Sequence, residues 1–108
     1  MRLTIAYPAC FYEDKESGAY AVEIPDLPGC STGGNTLAEA IFMAVDAASG
    51  WVLDELEDGK IIPNASKIDE IIPDQGGFVS MIDLDLDAYA EKYGDNAIPK
   101  NFSVKRFL

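Results

Sequence analysis

Residues 21–41 read AVEIPDLPGCSTGGNTLAEAI, and in twenty-one positions they hold an alternating apolar run, two prolines, three glycines and the start of a helix. Tyr20, Val22 and Ile24 alternate with Ala21 and Glu23 at the two-residue period of a strand. Pro25 to Gly29 then form a rigid turn, the prolines fixing their own φ and Gly29 free to take a positive one. Cys30 to Gly33 read as a short third strand. Thr36 with Glu39 three residues on is a capping box. After it Leu37, Ala40, Ile41, Ala44, Val45, Ala48, Trp51, Val52 and Leu56 recur at helical spacing until Asp58-Gly59, which predicts a helix over Thr36 to Glu57. Its core face is expected to run through Ile41, Val45, Ala48 and Val52, with Ile41 and Trp51 buried. Gly50 within it costs about 1 kcal/mol relative to alanine, and so predicts a close approach to a strand or a local bend.

The same stretch admits a chemical reading, with Gly34 to Thr36 as a phosphate cradle and Cys30 as a nucleophile. Gly29, Gly33 and Gly34 do not follow the GxGxxG spacing, and no GK[ST] dipeptide is present. The chain has no histidine. That removes the usual base for a Ser or Cys nucleophile and the commonest zinc ligand together. Cys10 and Cys30 lack CxxC or Cys/His spacing, and buried thiols are favoured over a redox pair.

Outward from the opening stretch, Leu3 to Tyr12 is apolar and aromatic and reads as strand one, with Pro8 pointing to an edge strand or a bulge. The polar turn EDKESG, residues 13–18, joins it to strand two. On the other side, residues 61–77, IIPNASKIDEIIPDQGG, form an irregular connection in which Ser66 and Asp69 are placed to cap one short helical turn. Phe78 to Ile82 read as a fourth strand and Asp87 to Tyr93 as a short helix ended by Gly94. The run DLDLD, residues 83–87, resembles calcium ligands, but an EF-hand loop opening at Asp83 needs glycine where Ala88 stands and a carboxylate where Gly94 stands. A strand end with Leu84 and Leu86 inward and Asp87 capping the next helix is the better account.

Composition bounds the whole. A chain of 108 residues is one domain, and folding at that size buries about two-thirds of the extended surface. Hydrophobic residues at 48% and charged residues at 25% are those of a globular protein. The N-terminal MRLTIAYPACFYED is neither a signal peptide nor a transit peptide, and no apolar run reaches membrane-spanning length, so a cytoplasmic protein without membrane association is expected. The formal net charge is −11, unevenly spread. Residues 1–99 carry 5 basic against 19 acidic side chains, a balance of −14, while residues 100–108 carry three basic and no acidic ones. The acidic body favours a basic partner and repels nucleic acid, whereas the basic end can approach phosphates; an acidic surface kept for solubility is the plainer alternative.

In that end, KNFSVKRFL, Asn101, Ser103 and Lys105 alternate with Phe102 and Val104, giving one polar and one apolar strand face. Ribbon-helix-helix repressors lay such a strand, paired with that of a second chain, in the DNA major groove. A frayed basic tail explains the same residues equally well.

The order YPACFYED, a turn, GAYAVEIPDLPGCSTGGNTLAEAI, a helix with Trp51 and then IIPNASKIDEI resembles the HicB family of antitoxins over residues 7 to about 72. Thr32, Gly34 and Thr36 stand at that family's T-x-G-x-T positions, and AIPKNFSVKRFL resembles the start of the ribbon-helix-helix of members that carry one. The resemblance implies an α+β, partial RNase H-like (HicB-like) fold, an antiparallel three- to four-stranded sheet with one long helix packed on it. It implies a HicB-like antitoxin domain over residues 1–95, and over 96–108 a linker and the start of a truncated DNA-binding segment. A basic HicA-like toxin, an mRNA interferase, would be the partner, together with operator DNA contacted by Asn101, Ser103 and Lys105, in a homodimer or higher oligomer. No catalytic residue, cofactor or metal is implied, and strand one offers none of the carboxylates that RNase H enzymes use for two metals. The alternative is a stand-alone DNA-binding transcriptional repressor without a toxin; a metal-dependent carboxylate enzyme ranks behind both. Pure protein incubated with RNA, phosphoesters and divalent metals should leave them intact, and metal-dependent cleavage lost on changing Asp83 or Asp85 would overturn this.

Overall fold

The computed structural model describes residues 4–93. Strands β1 (Thr4–Glu13), β2 (Tyr20–Glu23) and β3 (Ser31–Gly34) form a meander, α1 (Leu37–Glu57) crosses it, and β4 (Gly77–Asp85) returns to the sheet before α2 (Leu86–Tyr93). All pairings are antiparallel and the order is β3-β2-β1-β4. The protein is thus an α+β domain with a four-stranded antiparallel sheet under one long helix.

Strand β1 is central, not an edge. It pairs with β4 from Thr4 to Tyr12 but with β2 only from Cys10 to Glu13. Pro8, which has no N–H to give a ladder, therefore lies where β1 has a strand on one side alone. Tyr7, Ala9 and Phe11 point into the core with Val22, Ile82 and Leu84, and Phe11 stacks on its register partner Phe78 with ring centres 5.3 Å apart. Pro8 and Cys10 are buried as well, so the strand reads as a continuous apolar run and not as an alternating one.

The helix begins as its sequence indicates. The Thr36 hydroxyl accepts from the Glu39 amide at 3.1 Å, and the Glu39 carboxylate reaches back to accept from the Asn35 amide at 2.9 Å, one residue beyond the capping-box partner Thr36. It ends at Gly59, whose φ of +75° and whose bond to the Leu56 carbonyl are those of a left-handed terminator. The phase between these ends differs from expectation. Ala40, Ala44, Ala48, Val52 and Leu56, four residues apart, face the sheet with Ser49 and Leu53, whereas Ile41 is 40% exposed. The cause is β3: a Cβ on Gly34 would lie 2.5 Å from the Ala40 nitrogen, so only small side chains fit on the helix where it leaves the strand. Ranking helix positions by side-chain size selects the wrong face here.

The connection after α1 is fastened to the strands. Its short helical turn, Ile68–Glu70, is present, but Ser66 does not cap it. Instead the Ser66 amide and hydroxyl both donate to the Asp26 carboxylate, each at 2.7 Å, and Glu70 accepts from the Lys67 amide. Tyr7 donates its hydroxyl to the Pro63 carbonyl at 2.6 Å, and the Tyr12 hydroxyl accepts from the Asp74 amide.

Leu53→Ala should cost about 2 to 5 kcal/mol in denaturant unfolding while Ile41→Ala costs under about 1, and equal losses would contradict the observed helix phase. Asp26→Ala, which leaves the Ser66 groups without their acceptor, should lower stability by about 1 to 3 kcal/mol and speed proteolysis within residues 58–76; an unchanged cleavage rate would show that the pair does not hold the connection.

Candidate partner interface

The helix phase decides what faces outward. With the alanine ridge against the sheet, Leu37, Ile41 and Phe42 stand on the outer side of α1, 37, 40 and 57% exposed. They form an apolar patch on a regular element.

Helix α2 comes back against the same side. Asp85 at the end of β4 caps it by accepting from the Ala88 amide at 3.0 Å, taking the role expected of Asp87. The fully buried Leu86 anchors its first turn. One turn on, Tyr89 reaches α1 at Gly50, where an added Cβ would come 2.9 Å from its hydroxyl. The glycine therefore receives a side chain of α2, not a strand. Lys92 lies with its ammonium 5.2 Å from the centre of the Phe42 ring, at cation–π distance.

Between α1, α2 and the end of β4 this leaves a groove of about 260 Å³, with Phe42, Val45 and Ala88 as apolar lining and Asp46, Asp83 and Asp85 among its polar residues. On the far side of Tyr89 a second depression of about 370 Å³ continues past Asp46, Gly50, Trp51 and Asp54 to Ser31. Phe42, Asp46, Gly50 and Asp54 are four apart and share one side of α1. Such a surface sets apolar side chains beside carboxylates.

The PDLPG turn is structural. Leu27 donates to the Ile24 carbonyl, Cys30 to that of Leu27 and Ile24 to that of Cys30, closing the turn on itself. Gly29 adopts φ +80°, and the half-buried Trp51 donates its indole N–H to the Pro28 carbonyl at 3.0 Å. Asp26 is engaged by Ser66. Cys10 and Cys30 are buried free thiols, and burial pushes both above the ordinary thiol range, which keeps them protonated and poor nucleophiles. Among the described residues no three His, Cys, Asp or Glu side chains are grouped to hold a metal ion, and no helix is long and apolar enough to cross a membrane.

Asn101, Ser103 and Lys105, with Lys100 and Arg106, lie outside the described residues. The groove, in contrast, is not predicted by the sequence reading. Its signals are present all the same: the alanines at 40, 44 and 48, which assign the inner face to small residues, and Gly50, which marks a contact on the outer one.

Comparison with known proteins agrees with this architecture. Residues 7–104 match the family described as the HicB-like antitoxin of bacterial toxin-antitoxin systems. A protein of 14.9 kDa from the rep-hol intergenic region of Haemophilus phage HP1 is 37% identical over 83 residues, 74% of this chain; the match spans 61% of that relative's length, a little under two thirds. Among solved structures, a toxin-antitoxin complex from Streptococcus pneumoniae contains a chain similar over 97% of this one and 84% of its own length, with a TM-score of 0.72 and 25% identity. The N-terminal domain of the Burkholderia pseudomallei antitoxin HicB matches over 76% of this chain and all of its own, with a TM-score of 0.66 and 27% identity. With the family model covering nearly the whole sequence and a solved HicB antitoxin domain sharing the fold, the chain belongs to the HicB-like antitoxins of bacterial toxin-antitoxin systems.

Proposed function

We propose that this chain is an antitoxin that neutralises a basic, HicA-type RNA-cleaving toxin by direct contact, and that a DNA-binding segment beginning near residue 96 represses its own operon. The observation that carries the first half is the likeness, over 97% of the chain, to a protein from a toxin-antitoxin complex. Charge supports it. Residues 4–93 hold 18 carboxylate and 4 ammonium side chains, a balance of −14, so a basic protein is drawn to the domain while phosphate backbones are repelled. The domain acts by binding, in the cytoplasm where its toxin's RNA substrates are.

DNA is then met by the other end. Lys100, Lys105 and Arg106 supply positive charge, and Asn101, Ser103 and Lys105 form the polar face of a ribbon strand that pairs with a second copy, so the operator-binding form is a homodimer or higher oligomer. Lys100 and Arg106 sit nearer the phosphates, Lys105 nearer the base edges.

Titrating the toxin encoded beside this protein should give a stoichiometric complex that suppresses RNA cleavage, with an association rate that falls as salt is raised; absence of a complex would refute the antitoxin reading. Lys105→Ala, in a form that continues past Leu108, should weaken operator binding by about 1 to 3 kcal/mol in gel shifts and leave toxin binding unchanged. Loss of the toxin with the operator retained would mean the two ends have been assigned in reverse. By light scattering, residues 1–99 should be monomeric and the longer form at least dimeric, and equal states of association would remove the ribbon from the assembly.

A further inference from the structure

We propose that the groove between α1 and α2 is the docking site for the basic partner, receiving an apolar side chain flanked by lysine or arginine. The proposal rests on the antitoxin reading and adds to it the surface used.

The groove exists because the inner face of α1 is filled by alanines held against β3. The larger side chains of the helix, Leu37, Ile41 and Phe42, are thereby turned outward, and Phe42 both belongs to this patch and lines the groove. Apolar patch and groove form one continuous surface along α1.

Charge selects the occupant. Asp46, Asp83 and Asp85 line the groove against one cation, Lys92, and Asp87 and Glu91 lie on the same short α2. An RNA or an anionic lipid surface would bring phosphates against these carboxylates. A second copy of this domain would bring its own −14 against them. A basic protein meets the apolar surface with its hydrophobic residue and the carboxylates with its cations, so that burial holds what charge guides. The chain's own Lys92 lies over the face of Phe42, its ammonium 5.2 Å from the ring centre, so an incoming side chain meets Phe42 at its remaining exposed surface.

The test is a calorimetric titration of the toxin into full-length wild-type protein, Phe42→Ala, the double variant Asp46→Asn/Asp83→Asn, and Ile72→Ser as a control on the exposed connection. Phe42 and Ile72 are both largely exposed, so each variant should keep the wild-type circular dichroism and melting temperature. Phe42→Ala should weaken binding by about tenfold or more. The double variant should bind more weakly with a shallower salt dependence, and Ile72→Ser should bind as the wild type does. Wild-type binding together with Phe42→Ala binding within about twofold of it would overturn the docking site and leave the antitoxin reading standing. No wild-type binding would remove both. Wild-type affinity that rises when residues 100–108 are deleted, with Phe42→Ala indifferent to the deletion, would show the chain's own basic end competing with the toxin for this groove and so support it as the docking site.

Discussion

Gly34 lies so close to the first turn of α1 that a methyl group there would stand 2.5 Å from the Ala40 nitrogen, and the packing of the domain descends from that approach. Gly33 does the same toward β2, where an added Cβ would meet the Tyr20 carbonyl oxygen at 2.6 Å. Two glycines in succession thus let β3 sit tightly between its neighbouring strand and the helix. A helix held this near a sheet can present only small side chains at its start, and the ridge widens to Val52 and Leu56 farther along, where the separation allows it. Burying a valine or leucine there contributes about 1.5 to 3 kcal/mol, so most of the apolar stabilisation from α1 comes from its second half. Its first half supplies position.

Much of this was legible in the sequence and some of it was not, for identifiable reasons. The meander, the helix and its two ends are local events: an alternation, a threonine cap with Glu39, a glycine with positive φ. The outward exposure of Ile41 and the central place of β1 are not local, because each depends on which distant segment arrives beside it. Asp26 and Ser66 are forty residues apart, and their two 2.7 Å hydrogen bonds leave no trace in either neighbourhood. The same holds for Asp85, which outcompetes Asp87 as the cap of α2 only because the strand continues to it. Of the candidate interface, the charge imbalance could be counted in advance, while the apolar surface beside the carboxylates required the phase of the helix.

The glycine- and proline-rich motif illustrates how a conspicuous sequence can lack chemistry of its own. Five of the six residues of PDLPGC have a visible part in the packing of the turn. Asp26 grips the connection, Leu27 fills the core, Pro28 accepts the Trp51 indole, Gly29 turns the chain and Cys30 closes the turn. The motif joins β2, α1 and the connection at one place.

The sheet is also finished late. β1 meets β2 across a six-residue turn, but the residues of β4 that flank it lie 65 (Tyr12 to Gly77) to 81 (Thr4 to Asp85) positions away. Contacts of such separation must close a long loop before any of their energy is returned, which makes them the slow part of folding. During synthesis the residues of the meander and α1 therefore emerge before the strand that covers the other side of β1. Asp83, Asp85 and α2, which build one wall of the groove, arrive with the strand that closes it. A partner that recognises this groove consequently recognises only molecules whose sheet is complete, and its binding draws the folding equilibrium toward them.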